Sequence, residues 1–150
     1  MPEKKTLERA RADARRGKSA STQAGEFVRE EIHHIREGKH GARSTKQAIA
    51  IGLSKARRAG VDLAVPERGK ASERVRKQAK RDLAKGKKRS AEPSKARSRA
   101  ADRALDREGK SAASRAQLSR HARQAAKRRT AAERSASAKK AARTRKAAAK

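Results

Sequence analysis

Residues 25–66 read GEFVREEIHHIREGKHGARSTKQAIAIGLSKARRAGVDLAVP, and this stretch decides where the chain packs a core. It holds ten of the sixteen Leu, Ile, Val, Phe and Met residues of the 150-residue chain, including the single phenylalanine, Phe27. The 85 residues that follow Val65 hold only four. Ordering the backbone costs about 1–2 kcal/mol per residue, and burial of apolar surface returns about 25 cal/mol per Å². The packed unit is therefore predicted within this stretch.

Two helices are predicted here. The first runs from residue 21 or 22 to about residue 37, because its apolar residues follow the spacing of one helical face. The second covers about residues 45–59 and begins at a capping box, in which the Ser44 hydroxyl accepts from the Gln47 amide and the Gln47 side chain reaches back. Small residues on the second helix would let another helix approach closely: Ala48, Ala50, Gly52 and Ala56.

The segments that flank this hairpin are less apolar. Residues 61–65 alternate apolar with polar or small residues, and we expect an extended apolar strap that Pro66 closes. Residues 1–20 form a basic arm with a short helix from Thr6, a candidate N-cap, to Arg16, followed by Gly17 as its C-terminal cap. Leu7 is the only large apolar residue of that helix, so we expect the helix to fray.

Residues 67–150 are predicted to form a long Lys/Arg/Ala-rich tail of short helices or disorder. Gly-Lys recurs at residues 17, 38, 69, 86 and 109, each time after a charged run, and suggests a helix end followed by a cationic loop. Two further capping boxes, Ser114 to Gln117 and Thr130 to Glu133, extend the pattern. The predicted fold is thus mostly α: an arm at 1–20, a helix–loop–helix hairpin with its strap at 21–66, and the tail at 67–150.

The charge of the chain is strongly positive and uneven. Forty-five Lys and Arg oppose sixteen Asp and Glu, for a net charge of +29, and residues 66–150 carry thirty of those cations against eight acids. Nucleic acid is the polyanion that such a tail fits. The tail lacks aromatic residues, which disfavours single-strand stacking and favours contacts to duplex backbone. A charge run that only keeps the protein soluble is the alternative.

Candidate phosphate contacts lie in both parts of the chain. In the hairpin, the candidates are basic residues of the second helix and of the loop before it. In the tail, the candidates are clustered lysines and arginines. The predicted nucleic-acid-binding residues are Arg43, Lys46, Lys55, Arg57, Arg58, Lys87, Lys88, Arg89, Lys110, Lys127, Arg128, Arg129, Lys139, Lys140, Arg143, Arg145 and Lys146.

Signals for catalysis or a cofactor are weak. Glu30, His33, His34 and Glu37 lie within about two helical turns, but their spacing matches no known metal motif, so we expect no metal and read His34 or His40 as lying near a phosphate. The serines lack a nucleophile elbow. Gly-Lys-Ser at 17–19 and 109–111 lacks the earlier glycine of a phosphate-binding loop. An enzyme is not expected, and neither is a cofactor.

Other classes are excluded by composition. The chain has no cysteine, so it has no disulfide framework and no Cys-based zinc site. No apolar run reaches the roughly 20 residues of a membrane span, and the first twenty residues have no apolar signal core. We expect a cytoplasmic protein of the nucleoid that does not bind membranes.

Part of the hairpin is also recognisable. HIREGKHGARSTKQAIAIGLSKARRAG, with Lys46 to Ile51 followed by Leu53-Ser54 and Ala56, resembles a family of small basic bacterial proteins, a domain of unknown function marked by a His/Gly-Lys loop and KQAIAI-x-LS-x-A. The resemblance covers roughly residues 25–65 and implies no settled activity. In composition, the tail is similar to linker-histone-like nucleoid proteins.

The leading hypothesis is a non-enzymatic, largely sequence-independent DNA-binding protein whose tail binds phosphates. One alternative is an RNA- or ribosome-associated protein. Another is a protein-interaction module, with a homodimer formed through the hairpin and a tail that only localises it. A stress-protective disordered protein is a further alternative.

Overall fold

The computed structural model describes residues 2–88 and 94–148, and these ranges are mostly helical, as predicted. Within them there is no β-strand, and only an isolated bridge joins Arg68 and Ala71. The helices are α1 Lys4–Arg15, α2 Ala20–Glu37, α3 Thr45–Arg58, α4 Glu73–Lys87, α5 Lys95–Asp106, the 3₁₀ helix η1 Ser111–Ala113, α6 Arg115–Lys127 and α7 Ala131–Ala148.

The chain divides into two compact units, Met1–Ser114 and Arg115–Lys150. The first unit therefore extends well beyond the predicted boundary at residue 66. Within it α1 packs on α2, α2 on α3 and α3 on α4, so that consecutive helices are neighbours. The four large apolar residues after Val65 did not indicate this extension, because α4 is fastened to α3 by polar contacts.

The predicted hairpin is present as α2 and α3. Helix α2 begins slightly earlier than predicted, at Ala20, because the Ser19 hydroxyl accepts from the Thr22 amide. Ser44 caps α3 by accepting from the Gln47 amide at 3.2 Å. The Gln47 side chain accepts from the amide of Arg43, one residue before the cap. The predicted close approach occurs at Gly52, where an added Cβ would lie 2.7 Å from the Cα of Val28.

Helix α1 is not the isolated helix that was expected to fray. It begins after Glu3 rather than at Thr6, which is buried inside the helix. Leu7 and Ala10 pack against a core cluster centred on the fully buried Phe27. The helix is thus held by tertiary contact with α2, which a count of its own apolar residues could not reveal.

The strap after α3 lies on the same core. Val61 is buried and Leu63 packs beside it against the Phe27 cluster. The Arg57 guanidinium donates to the carbonyls of Leu63 and Ala64, each at 3.1 Å, and so ties the strap to the helix it leaves.

The predicted role of Gly86 as a helix end is wrong. Gly17, Gly38 and Gly69 have positive φ and lie in turns, but Gly86 is inside α4. An added Cβ there would lie 2.1 Å from the carbonyl oxygen of Arg57. The glycine therefore permits α4 to cross the end of α3.

The loop between α2 and α3 is closed by residues distant in sequence. The Gly41 amide donates to the Leu105 carbonyl and the Ala42 amide to the Gly109 carbonyl, each at 3.0 Å. The Thr45 hydroxyl donates to the carbonyl of Ala112 at 2.6 Å. Part of the predicted tail thus completes the first unit.

Candidate nucleic-acid interface

The second unit combines high positive charge with exposure. Residues 115–150 contain thirteen Lys and Arg and a single acid, Glu133, for a net charge of +12. None of residues 115–147 is buried. Helices that bury no side chain gain no core stabilisation of their own, so their cations remain available to a partner.

Helix α6 gathers cations on one face. Arg115, Arg120, Arg123 and Lys127 follow intervals of five, three and four residues, which place them on the same side of a helix. Together with Ser119 and Gln124 they line one open groove. Of the four cations on this face, only Lys127 was among the residues predicted from the sequence. The helical spacing of the four would have indicated the face.

Helix α7 carries cations over about two thirds of its circumference. Its start is fixed by the predicted capping box: the Glu133 amide donates to the Thr130 hydroxyl at 3.2 Å, and the Thr130 amide donates to the Glu133 carboxylate at 2.7 Å. Six cations follow in little more than three turns: Arg134, Lys139, Lys140, Arg143, Arg145 and Lys146. At about 100° per residue these six point in several directions around the axis.

The predicted tail residues of the second unit are all exposed. Arg129 makes the most internal contacts, since its guanidinium donates to the Glu133 carbonyl at 2.7 Å and to the Ser137 hydroxyl. The exposed predicted residues are Lys127, Arg128, Arg129, Lys139, Lys140, Arg143, Arg145 and Lys146.

The predicted residues of the first unit separate into exposed and internal side chains. Lys110 is exposed and follows Gly109, which bonds to the loop that leads into α3. Arg89 lies outside the described residues. The exposed set is Arg43, Lys46, Arg58, Lys87, Lys88 and Lys110.

Three predicted contacts on α3 pair with other groups of the protein, although the Arg58 side chain is exposed. Arg57 is only 7% exposed, and its guanidinium donates to the backbone carbonyls of the strap. Burial lowers the pKa of the Arg57 guanidinium below its usual value. The Lys55 ammonium lies 2.5 Å from the buried carboxylate of Glu31, and Arg58 donates to Asp82 at 2.8 Å. Lys55 and Arg58 thus neutralise acids of the fold.

His34 of α2 and His40 of the following loop face glutamates rather than open solvent. His34 and His40 have side chains 13% and 14% exposed, and Nε2 of His34 lies 2.8 Å from the Glu3 carboxylate. Hydrogen bonds from His34 and then Lys39 hold the pKa of Glu3 below its usual 4.5. The expectation of a phosphate near these rings therefore finds no support in their surroundings.

One histidine–carboxylate group has donor atoms close enough to consider a metal. One potential ligand atom from each of Glu31, His34 and His40 lies within 4.8 Å of the others. This set shares His34 with the group considered in the sequence, but Glu31 and His40 replace Glu30, His33 and Glu37. The loop contact that brings His40 back to α2 could not be read from helical spacing.

None of the helices in the described ranges combines the length and apolar character that a bilayer crossing requires. No curated protein and no solved structure gave a significant match to the chain. A family match covers the end of α1, the hairpin and the strap. Over residues 15–69 the chain is similar to a family of unknown function (DUF6496).

Proposed function

We propose that this protein is a non-enzymatic nucleic-acid-binding protein of the nucleoid, and that residues 115–150 bind duplex DNA through its phosphates. The observation that carries the proposal is the second unit itself. It has thirteen cations against one acid, with no buried residue among 115–147. Such a surface gains affinity by releasing the counterions condensed on DNA, which requires charge and reach but no base-reading side chain.

The distribution of charge on α7 favours a groove over a flat surface. A helix is about 10–12 Å across, and the major groove of duplex DNA is about 12 Å wide, with phosphates on both sides. Cations spread over about two thirds of the circumference of α7 can then contact both walls at once. The cations of α6 lie on one side of the helix, so they suit the phosphate backbone of a single DNA strand.

The first unit contributes less to this binding. Its cations Lys55, Arg57 and Arg58 are occupied by acids or backbone carbonyls. Exposed Arg43 and Lys46 flank the N-terminus of α3 and add a secondary contact. We propose that this unit anchors the second one, and that the homodimer hypothesis is less favoured because α1, α4 and η1 cover faces of the hairpin.

The test compares two full-length variants with equal loss of charge. In the first, the six cations of α7 become glutamine: Arg134, Lys139, Lys140, Arg143, Arg145 and Lys146. In the control, six exposed cations of the first unit become glutamine: Arg74, Lys77, Lys80, Arg81, Lys95 and Arg97. Fluorescence anisotropy of a labelled 30-base-pair duplex gives the dissociation constant at several salt concentrations between about 50 and 200 mM.

We expect the wild-type affinity to fall steeply with salt. Each lost phosphate contact lowers the slope of log K against log salt by about 0.9, so the α7 variant should lose up to about 5 in slope and the control much less. Equal losses in both variants would show that only net charge matters. A flat wild-type salt response would remove the phosphate mechanism altogether.

The same titration separates DNA from RNA. Duplex RNA and single-stranded RNA of equal length are used as competitors. Tighter binding to either RNA than to duplex DNA would replace the nucleoid proposal with the RNA-associated alternative.

A further inference from the structure

Glu31, His34 and His40 form a compact group between α2 and the loop that follows it. Glu31 and His34 are three residues apart on α2, and Nε2 of His40 lies 3.1 Å from Oε1 of Glu31. The rings of His34 and His40 meet edge to face, with centroids 6.1 Å apart. Their potential ligand atoms lie within 4.8 Å of one another, so small side-chain rotations would bring all three to one ion.

Each ring has an oxygen partner outside this group. The Glu3 carboxylate lies 2.8 Å from Nε2 of His34, and the Gly41 carbonyl lies 3.0 Å from Nδ1 of His40. Histidines that bind metals almost always donate their other N–H to a carboxylate or a backbone carbonyl. This arrangement leaves Nδ1 of His34 and Nε2 of His40 as the ligating atoms.

The carboxylate of Glu31 lacks hydrogen bonds although it is buried. Its side chain is 1% exposed, and neither Oε1 nor Oε2 has a hydrogen-bond partner within the described residues. The Lys55 ammonium makes an ion pair with Oε2 at 2.5 Å, and Oε1 faces His40. A buried carboxylate oxygen that faces an imidazole without a hydrogen bond is a ready ligand for a cation.

The local charge also suits a dication. Ion pairs and hydrogen bonds connect the group to Glu3, Glu30, Glu37, Lys39 and Lys55. Together with Glu31, this network contains four carboxylates and only two ammonium groups. In a chain of net charge +29, this is a local reversal of sign.

We propose that Glu31, His34 and His40 bind a divalent transition-metal ion of the Zn²⁺ class. Two imidazoles and one carboxylate are an established zinc donor set, with bonds of about 2.0–2.2 Å. The ion would fasten the loop at His40 to helix α2. Glu3 is a positioning residue, because it orients His34 without ligating.

The test titrates metal-free full-length protein with ZnCl2 alone by isothermal titration calorimetry. One equivalent is expected to bind, and the midpoint of thermal unfolding should rise with zinc, because an ion that binds only the folded state stabilises it. Glu31→Gln, His34→Gln and His40→Gln should each weaken binding at least 10-fold, and Glu3→Gln about 10- to 100-fold.

His33→Gln and His121→Gln are the matched controls. The side chain of His33 is 69% exposed and His121 lies on α6, so both variants should bind zinc as the wild type does. Co²⁺ absorption in the visible range reports the site directly, even in a variant with altered stability. No saturable zinc binding by the wild type, equal loss in the control variants, or full retention by Glu31→Gln would each overturn the proposal.

Discussion

Asp82 illustrates how single charged residues build this fold. It lies on α4 with a side chain that is 1% exposed, and it accepts from Ser54 at 2.7 Å, Arg58 at 2.8 Å and Gln78 at 3.0 Å. Two of these donors belong to α3. Because the carboxylate is hydrogen-bonded on both oxygens, its burial fastens the two helices instead of destabilising them.

Glycine positions on α2 and α3 should respond oppositely to alanine. Gly52→Ala places a Cβ 2.7 Å from the backbone of Val28, so we expect a loss of about 1–3 kcal/mol in the free energy of unfolding. Gly25→Ala meets no atom within 4 Å inside α2 and should gain about 0.5–1 kcal/mol from helix propensity. Urea unfolding followed by circular dichroism measures both. A Gly52→Ala variant as stable as the wild type would contradict the close packing of α2 on α3.

At the scale of helices, sequence patterns predicted those features that depend on residues close together in the chain. The cap at Ser44, the capping box at Thr130 and the apolar face of α2 depend on residues within a few positions of one another, and they were predicted correctly. The docking of α1 and α4 was not predicted. Helix α1 is held by packing against Phe27, which lies far from it in the sequence, and α4 is held by the polar contacts of Asp82. Neither contact has a periodic signature in the sequence.

The candidate sites follow the same division. The basic character of the second unit follows from composition alone, which needs no fold. The internal hydrogen bonds of Arg57 and the approach of His40 to Glu31, by contrast, depend on tertiary contacts. The α6 face could have been predicted from the sequence, because Arg115, Arg120 and Arg123 have helical spacing.

Hydrogen exchange should distinguish the helices of the two units. Amides of α2 near Phe27 are covered by core packing and should exchange slowly, whereas those of α7 should exchange close to the rate of an unfolded peptide. Saturation with duplex DNA is expected to slow exchange in α7 at least about 10-fold and to leave α2 unchanged. The measurement is exchange mass spectrometry on peptide fragments. Protection that appears only in α2 or α3 would move the binding site to the first unit.

On the scale of the whole molecule, our proposal places stability and nucleic-acid binding in different units. The first unit contains the buried side chains, and the second contains a net charge of +12 without a core. A substitution that destabilises the first unit should therefore leave the DNA binding of the second unit intact, and loss of cations from the second unit should leave the stability of the first intact.

Phe27→Ala tests this separation. Removal of a fully buried aromatic side chain should cost about 3–5 kcal/mol of unfolding free energy, whereas Val75→Ala, at a residue 48% exposed, should change it by less than about 0.5 kcal/mol. Both variants are expected to keep the wild-type salt slope for duplex binding. Thermal unfolding and anisotropy titrations on the same samples provide the two readouts. A parallel loss of stability and salt slope would place the first unit at the centre of binding.

The bonds that close the α2–α3 loop have a consequence during synthesis. The Thr45 hydroxyl can form its hydrogen bond only after a residue 67 positions later has been synthesised. The amides of Gly41 and Ala42 likewise require the carbonyls of Leu105 and Gly109. At about 5–20 residues per second, a ribosome needs roughly 3–13 s to add those residues. The hairpin can form as soon as α3 emerges, but its loop stays open until η1 has left the exit tunnel. Each newly made chain therefore passes through a period in which Gly41, Ala42 and Thr45 lack the carbonyl partners that they have in the folded protein.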